Sequence, residues 1–99
     1  MQITAKIIQL LPLQSGESTK GAWKKQDIIV ETEGKFPKKI CIACWGDMAD
    51  NEMLKETDKY FIFHVDVESR EYNGRWYNDI RAWKINLPIK EDETDGIFV

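Results

Sequence analysis

The stretch KYFIFHVDVESREYNGRWYNDIRAW, residues 59–83, predicts a long β-hairpin. Apolar and polar residues alternate through Lys59–Arg70, which is the pattern of a strand with one face against a core. The apolar members of this alternation are Phe61, Phe63, Val65 and Val67. Asn73-Gly74 follows, and this dipeptide favours a tight hairpin turn because both turn positions need a positive φ. The second strand of the hairpin is predicted over Arg75–Leu87.

Three further strands are predicted before this hairpin. They cover Ile3–Leu11, Trp23–Glu33 and Lys38–Trp45. Residues 12–22 (PLQSGESTKGA) predict a polar loop, and residues 33–37 predict a turn. Residues 48–56 (MADNEMLKE) lack β-branched residues and predict a short helix, with Asp47 as its N-cap.

Three strands, a short helix and a two-stranded hairpin follow one another in the order of the OB barrel. In that five-stranded Greek-key barrel a helix between the third and fourth strands closes one end. The alternative, an SH3-like barrel, usually has no helix at that point. We therefore predict an all-β protein with one short helix, built as a five-stranded OB-fold Greek-key barrel over residues 1–88. Residues 89–99 are predicted to form a flexible acidic C-terminal tail.

The composition is that of one small globular domain. The chain has 99 residues, of which 42% are apolar and 31% charged, and its net charge is −3. That charge argues against broad attraction to phosphate, but residues 91–95 (EDETD) hold four of the acidic side chains, so residues 1–90 carry about +1. The sequence opens with no apolar signal segment and has no apolar run near the roughly 20 residues that span a bilayer. A cytoplasmic protein with no membrane partner is predicted.

Few side chains have the spacing of a catalytic or metal centre. Cys41 and Cys44 have the C-x-x-C spacing, but in a strand residues i and i+3 point to opposite faces, which favours a structural role. His64 is the only histidine, and general acid–base chemistry needs partners that its neighbours do not provide. Asp66 and Glu68 share a strand face about 7 Å apart, as solvated charges commonly do. We predict no enzyme activity, no metal site and no cofactor.

Two long segments, residues 23–47 and residues 67–85, resemble a small bacterial family of domains of unknown function. The resemblance covers about residues 2–87. Its most specific pieces are PLQSGESTKGAWKKQ (12–26), WGD (45–47) and ESREYNGRWYNDIRAW (68–83). It implies an OB-like fold of the kind seen in single-stranded DNA-binding proteins, and it implies no reaction.

Single-strand binding needs cations that follow the phosphates and flat side chains on which bases stack. OB folds place these groups on the second and third strands and on two loops, which here are residues 12–22 and 71–74. The predicted nucleic-acid-binding residues are Lys20, Trp23, Lys24, Lys25, Lys38, Lys39, Tyr72, Arg75, Trp76, Tyr77 and Arg81. The predicted function is non-enzymatic binding of single-stranded nucleic acid, with DNA favoured over RNA.

Several of the aromatic residues also have a purely structural interpretation. Trp45 would cap the barrel, and Trp76 would brace the hairpin by pairing with Tyr72 across the strands. Trp83 would be a core residue or an oligomer contact. The main alternative function is therefore a protein-interaction or assembly module whose exposed aromatic residues form an oligomer or partner interface. A small-ligand or oligosaccharide-binding OB domain is the third possibility.

Two further details depend on local pattern. Strict alternation in the fifth strand puts Ile80 and Ala82 on one face, with Arg81, Trp83 and Ile85 on the other, unless a β-bulge shifts the register. The acidic segment is followed by Ile97 and Phe98. Bacterial single-stranded DNA-binding proteins end in an acidic tail with a hydrophobic tip, and this ending is similar in kind. Ile97 and Phe98 are therefore predicted to bind protein partners.

Overall fold

A computed structural model of the chain describes residues 1–87, which form six strands and two short 3₁₀ helices. In chain order these are β1 (Gln2–Leu10), β2 (Gln14–Ser18), β3 (Gly21–Thr32), β4 (Lys39–Trp45), η1 (Gly46–Asp50), η2 (Glu52–Lys55), β5 (Tyr60–Tyr72) and β6 (Arg75–Asn86). The predicted tail, with Ile97 and Phe98, lies outside the described residues. Within the described residues, no helix is long and apolar enough to cross a membrane.

Five of the strands close into a barrel. β1 pairs with β5 on one side and with β3 on the other, β3 pairs with β4, and β5 pairs with β6. A parallel bridge between Ala43 of β4 and Arg81 of β6 completes the ring β1-β5-β6-β4-β3. This is the strand order of an OB barrel, so the predicted all-β OB-fold is confirmed.

The predicted loop over residues 12–22 is wrong, because most of it is strand. β2 pairs with β3 from Gln14 opposite Lys25 to Ser18 opposite Gly21, which leaves a two-residue turn. The Leu11 amide donates to the Asp27 carbonyl at 3.0 Å, so β2 continues the line of β1 along β3. The hairpin projects beyond the barrel, and its strands pair through the backbone. Polar side chains are therefore tolerated on both faces, and the apolar alternation that marks a buried strand is absent.

The predicted helix over residues 48–56 is also different in detail. It is divided into the 3₁₀ helices η1 and η2 by Asn51, whose backbone is extended. The Asn51 side-chain oxygen accepts a hydrogen bond from the Met53 amide at 2.8 Å. This local bond competes with a continuous helix, as asparagine side chains commonly do. Leu54 of η2 is buried and closes one end of the barrel.

The core consists of inward-facing side chains from every strand of the barrel, together with Leu54 of η2. Its members are Ala5, Ile7, Ile28, Val30, Ile42, Cys44, Leu54, Phe61, Phe63, Val65, Ala82 and Ile85. A β-bulge in β6 determines that Ile85 is part of the core. Ala82 pairs with Val65 and Lys84 pairs with His64, so Trp83 is the extra residue of the bulge. Ile85 therefore faces inward, like Ala82. The face that strict alternation predicts for Ile85, opposite to that of Ala82, is wrong. Trp83 is 55% exposed, so a core role for Trp83 is wrong.

β5 and β6 continue past the rim of the barrel as a two-stranded arm, residues 66–79. Val67, predicted to lie in the core, is instead 48% exposed, because the barrel offers no opposing layer at this height. The predicted turn is confirmed: Tyr72 pairs with Arg75, and Asn73 and Gly74 have φ values of 53° and 78°.

Candidate functional site

Trp45, at the end of β4, is the centre of an exposed group of aromatic and cationic side chains. Its ring centroid lies 5.9 Å from that of Trp23 on β3. Lys25 Nζ is 5.3 Å from the Trp45 ring centroid, and the Arg81 guanidinium carbon is 5.7 Å from it. Trp45 is 38% exposed and lies on the outer surface, so it does not seal the barrel interior. Side chains from β3, β4 and β6 thus converge on one indole ring.

The same outer surface continues along the arm. Tyr77 lies opposite Arg70, and Arg75 lies opposite Tyr72, so these four side chains project from the same side as Arg81. The Arg70 guanidinium carbon is 5.7 Å from the Tyr77 ring centroid. We call the whole surface the cation–aromatic face. Its members are Trp23, Lys25, Trp45, Arg70, Tyr72, Arg75, Tyr77 and Arg81.

Other residues predicted for the site lie elsewhere. Lys24 projects from the side of β3 opposite to Trp23 and Lys25. Its Nζ donates hydrogen bonds to both carboxylate oxygens of Asp50, at 2.9 and 2.8 Å. Lys20 lies in the β2–β3 turn. Lys38 and Lys39 are beside Thr32 and Glu31, at the far end of the β3–β4 ladder. That end is about 20 Å from Trp45 along the strand, so the structure separates these two lysines from the face.

Trp76 lies on the other side of the arm. It is opposite Glu71 in the ladder, whereas Tyr72 is opposite Arg75. Because cross-strand partners project to the same side and successive residues alternate, the predicted pair between Trp76 and Tyr72 does not form. Trp76 is 69% exposed and is not part of the cation–aromatic face.

Carboxylates are interleaved with the cations of the face. Lys25 Nζ is 3.6 Å from an Asp27 carboxylate oxygen, and Arg70 Nε donates to Asp79 at 2.8 Å. A cleft of about 310 Å³ lies beside Trp45, and we call it the Trp45 cleft. It is lined by Lys25, Ala43, Trp45, Glu68, Arg70, Asp79, Ile80 and Arg81. The site is therefore of mixed charge, with an indole at one wall.

Trp23 owes its position to a glycine across the hairpin. Gly16 is opposite Trp23 in the ladder, and a Cβ atom at position 16 would lie 2.9 Å from Cζ2 of the Trp23 ring. No side chain at position 16 could leave the ring where it is, since real Cβ contacts are longer. Gly16 therefore allows Trp23 to lie close to β2 and next to Trp45.

Gly16→Ala is expected to displace the Trp23 ring from Trp45 at little cost in stability. The ring is half-exposed and can swing outward, so the free energy of unfolding should fall by about 1 kcal/mol or less. Near-ultraviolet circular dichroism and tryptophan fluorescence should both change. Ser15→Ala, one residue earlier and on the opposite side of β2, is the control and should change neither. An unaltered spectrum for Gly16→Ala would contradict this account of Trp23.

The two cysteines lie on opposite faces of β4. Cys41 is exposed and Cys44 is buried. Burial, helped by the charges of Asp27 and Cys41, raises the pKa of the Cys44 thiol to about 12. Partial burial of the Cys41 sulfur, together with the charge of Asp27, also raises the pKa of Cys41. Both shifts oppose the thiolate that metal binding and redox exchange require. Within the part of the chain that the structure describes, no group of three or more potential ligands is placed to hold a metal ion.

A thiol-specific alkylating reagent is expected to modify Cys41 and to leave Cys44 intact in the folded protein. Reaction needs an accessible thiolate, and Cys44 is 0% exposed with a pKa of about 12. Intact-mass and peptide mass spectrometry would identify the modified residue, with the unfolded protein as the control in which both thiols react. Equal labelling of both cysteines under native conditions would show that β4 opens readily.

The His64 ring contacts the side chains of Trp83 and Asn86. Its ring centroid is 5.3 Å from that of Trp83, and its Nε2 is 3.0 Å from the Asn86 side-chain nitrogen. This group lies at the bulge of β6, and Trp83 is the extra residue of that bulge.

A ring of five strands in the order β1-β5-β6-β4-β3, closed by the bridge between β4 and β6, defines an OB-fold domain. The chain belongs to the family described as Domain of unknown function (DUF3127), whose model matches residues 2–86. The resemblance found in the sequence is therefore confirmed. Among solved structures, the SSB domain of a protein from Synechococcus sp. is similar, with a TM-score of 0.61 and 11% identity over 87% of this chain and 91% of that one. At that identity the likeness concerns the fold alone. None of the curated proteins compared with the sequence matches it.

Sequence reasoning missed Trp45 as a member of the site. Its pairing with Lys25 follows from the register of the β3–β4 hairpin, which the sequence leaves open. The signal in the sequence was the alternation of the strand: Ile42 is the most apolar residue of its centre, and Trp45, at the opposite parity, therefore projects to the other face.

Proposed function

We propose that this protein binds single-stranded nucleic acid on the cation–aromatic face and acts by binding alone, without catalysis. The observation that carries the proposal is the position of Trp45, an exposed indole in contact with Trp23 and flanked by Lys25 and Arg81. A base can stack on such a ring while the adjacent cations meet its phosphates. The arm extends this surface past the barrel, so a strand several nucleotides long can follow it.

Stacking is expected to supply most of the affinity. Lys25 and Arg70 are already paired with carboxylates, whereas Arg75 and Arg81 are in no ion pair among residues 1–87. With about two cations free to displace counterions, the slope of log K against log salt should be about −1.4. Base stacking on aromatic side chains contributes about 1–3 kcal/mol per base, which exceeds what two screened cations add.

The similar SSB domain supports this choice of ligand. SSB is the usual abbreviation for single-stranded DNA-binding, and that domain has the same fold as this chain over most of its length. We favour DNA over RNA on this ground. The proposal that residues 89–99 form a separate tail, with Ile97 and Phe98 as contacts for protein partners, rests on the sequence.

A tryptophan fluorescence titration tests the proposal. A single-stranded DNA of mixed sequence and about ten nucleotides, within the range of OB-fold site sizes, should quench the fluorescence at low salt. The same sequence as a duplex is the control and should bind more weakly, because paired bases cannot stack on Trp45. No quenching by the single strand at low salt would refute the proposal.

A protein-interaction or assembly module is the second candidate function. Trp76 and Trp83 are 69% and 55% exposed, and neither belongs to the cation–aromatic face. Exposed tryptophans are enriched where proteins meet. Light scattering over a dilution series would detect self-association, and Trp83→Ala should abolish it if that residue is the contact. If the protein is a monomer at every concentration, a homo-oligomer interface is excluded as its function.

A further inference from the structure

Two carboxylates face each other in the wall of the Trp45 cleft. Glu68 of β5 and Asp79 of β6 are direct cross-strand partners, and both line the cleft with Trp45. Asp79 accepts a hydrogen bond from Arg70 at 2.8 Å. Among residues 1–87, Glu68 takes part in no ion pair and no side-chain hydrogen bond. Because like charges directly opposite each other destabilise a sheet, folding alone does not explain Glu68.

A free carboxylate beside an indole determines which part of a nucleotide can enter the cleft. Glu68 repels phosphate, so the sugar–phosphate chain should run along Arg75 and Arg81, the cations unpaired among residues 1–87, while a base enters and stacks on Trp45. A carboxylate only accepts hydrogen bonds. It therefore favours a base edge that carries an exocyclic amino group, such as N4 of cytosine or N6 of adenine. At the 4-position uracil and thymine present a carbonyl oxygen, which Glu68 repels.

We propose that Glu68 is a specificity-determining residue that makes the site prefer bases with an exocyclic amino group, cytosine over uracil. This inference rests on the proposed function, since it assigns a base preference to the same face. One hydrogen bond from a base to an exposed carboxylate should favour oligo-dC over oligo-dU by about three- to tenfold. These two ligands differ only in the 4-substituent and in the proton at N3, so the comparison exchanges the amino donor for a carbonyl oxygen and leaves the rest of the ring unchanged.

The experiment compares three proteins with two oligonucleotides. Oligo-dC and oligo-dU of about ten nucleotides are titrated into the wild type, Glu68→Gln and Asp66→Asn, with tryptophan fluorescence as the readout. Asp66 lies on the same side of the arm, opposite Arg81, and is not in the lining of the Trp45 cleft, so Asp66→Asn removes an equal charge and leaves every lining residue of the cleft unchanged. The preference should fall to within about twofold in Glu68→Gln and persist in Asp66→Asn.

The outcomes separate this inference from the proposed function. If the wild type binds both oligonucleotides equally, or if both variants alter the two affinities by the same factor, Glu68 only repels phosphate and the inference is wrong while binding stands. If neither oligonucleotide binds the wild type at low salt, the proposed function fails and the inference fails with it. Thermal unfolding provides the folding control, and Glu68→Gln should be no less stable than the wild type because it removes a like-charge contact.

Discussion

Trp45→Ala is expected to weaken the binding of single-stranded DNA by about tenfold to hundredfold, the largest loss from any single substitution on the face. The substitution removes a stacking surface worth about 1–3 kcal/mol per base. It also removes the ring that Lys25 and Arg81 both contact, at 5.3 and 5.7 Å, so the two cations lose their shared support. Because the indole is 38% exposed, the barrel should remain folded. The measurement is a titration of fluorescein-labelled DNA followed by anisotropy, which does not depend on tryptophan.

Trp76→Ala is the matched control for this prediction. Trp76 is more exposed than Trp45 and lies on the other side of the arm, facing away from the cation–aromatic face. Its removal should change the affinity by less than about twofold, since a stacking contribution is not being lost. A larger loss for Trp76→Ala than for Trp45→Ala would show that the strand runs along the opposite side of the arm.

Phe63→Ala is expected to lower the free energy of unfolding by about 3–5 kcal/mol. Phe63 is fully buried, and its ring packs edge-to-face on Phe61 with centroids 6.3 Å apart. Small domains have a total stability of only about 5–15 kcal/mol. The variant should therefore be partly unfolded or unfold at a much lower denaturant concentration. Urea unfolding followed by circular dichroism would measure the change.

Val67→Ala is the comparison for Phe63→Ala. It tests whether a side chain on the same face of β5 stabilises the fold only where it lies inside the barrel. Val67 has the same alternation as Phe63 but lies on the arm and is 48% exposed. Its truncation should cost less than about 1 kcal/mol, in the range of surface substitutions. A cost close to that of a buried valine would mean that the arm packs against a surface in solution.

The predicted site and the observed face overlap in part. Trp23, Lys25, Tyr72, Arg75, Tyr77 and Arg81 belong to both. Lys38 and Lys39 were predicted from their place across a hairpin from β3, but the register sets them opposite Thr32 and Glu31, far from Trp45. Position along a ladder depends on register, which composition does not reveal.

By itself, the sequence determined the secondary structure of the long strands, the Asn73-Gly74 turn and the OB class. These features arise from local alternation, backbone preference at positive φ, and the order of elements, all of which can be read along the chain. Only the tertiary structure decided that Trp45 is flanked by Lys25 and Arg81, that Trp83 is extruded by a bulge and that Val67 leaves the core. Each of these depends on how strands that are distant in sequence pair and where the barrel ends. A shift of one residue in pairing moves every following side chain to the other face, so the grouping of these side chains around Trp45 could only follow from the assembled barrel.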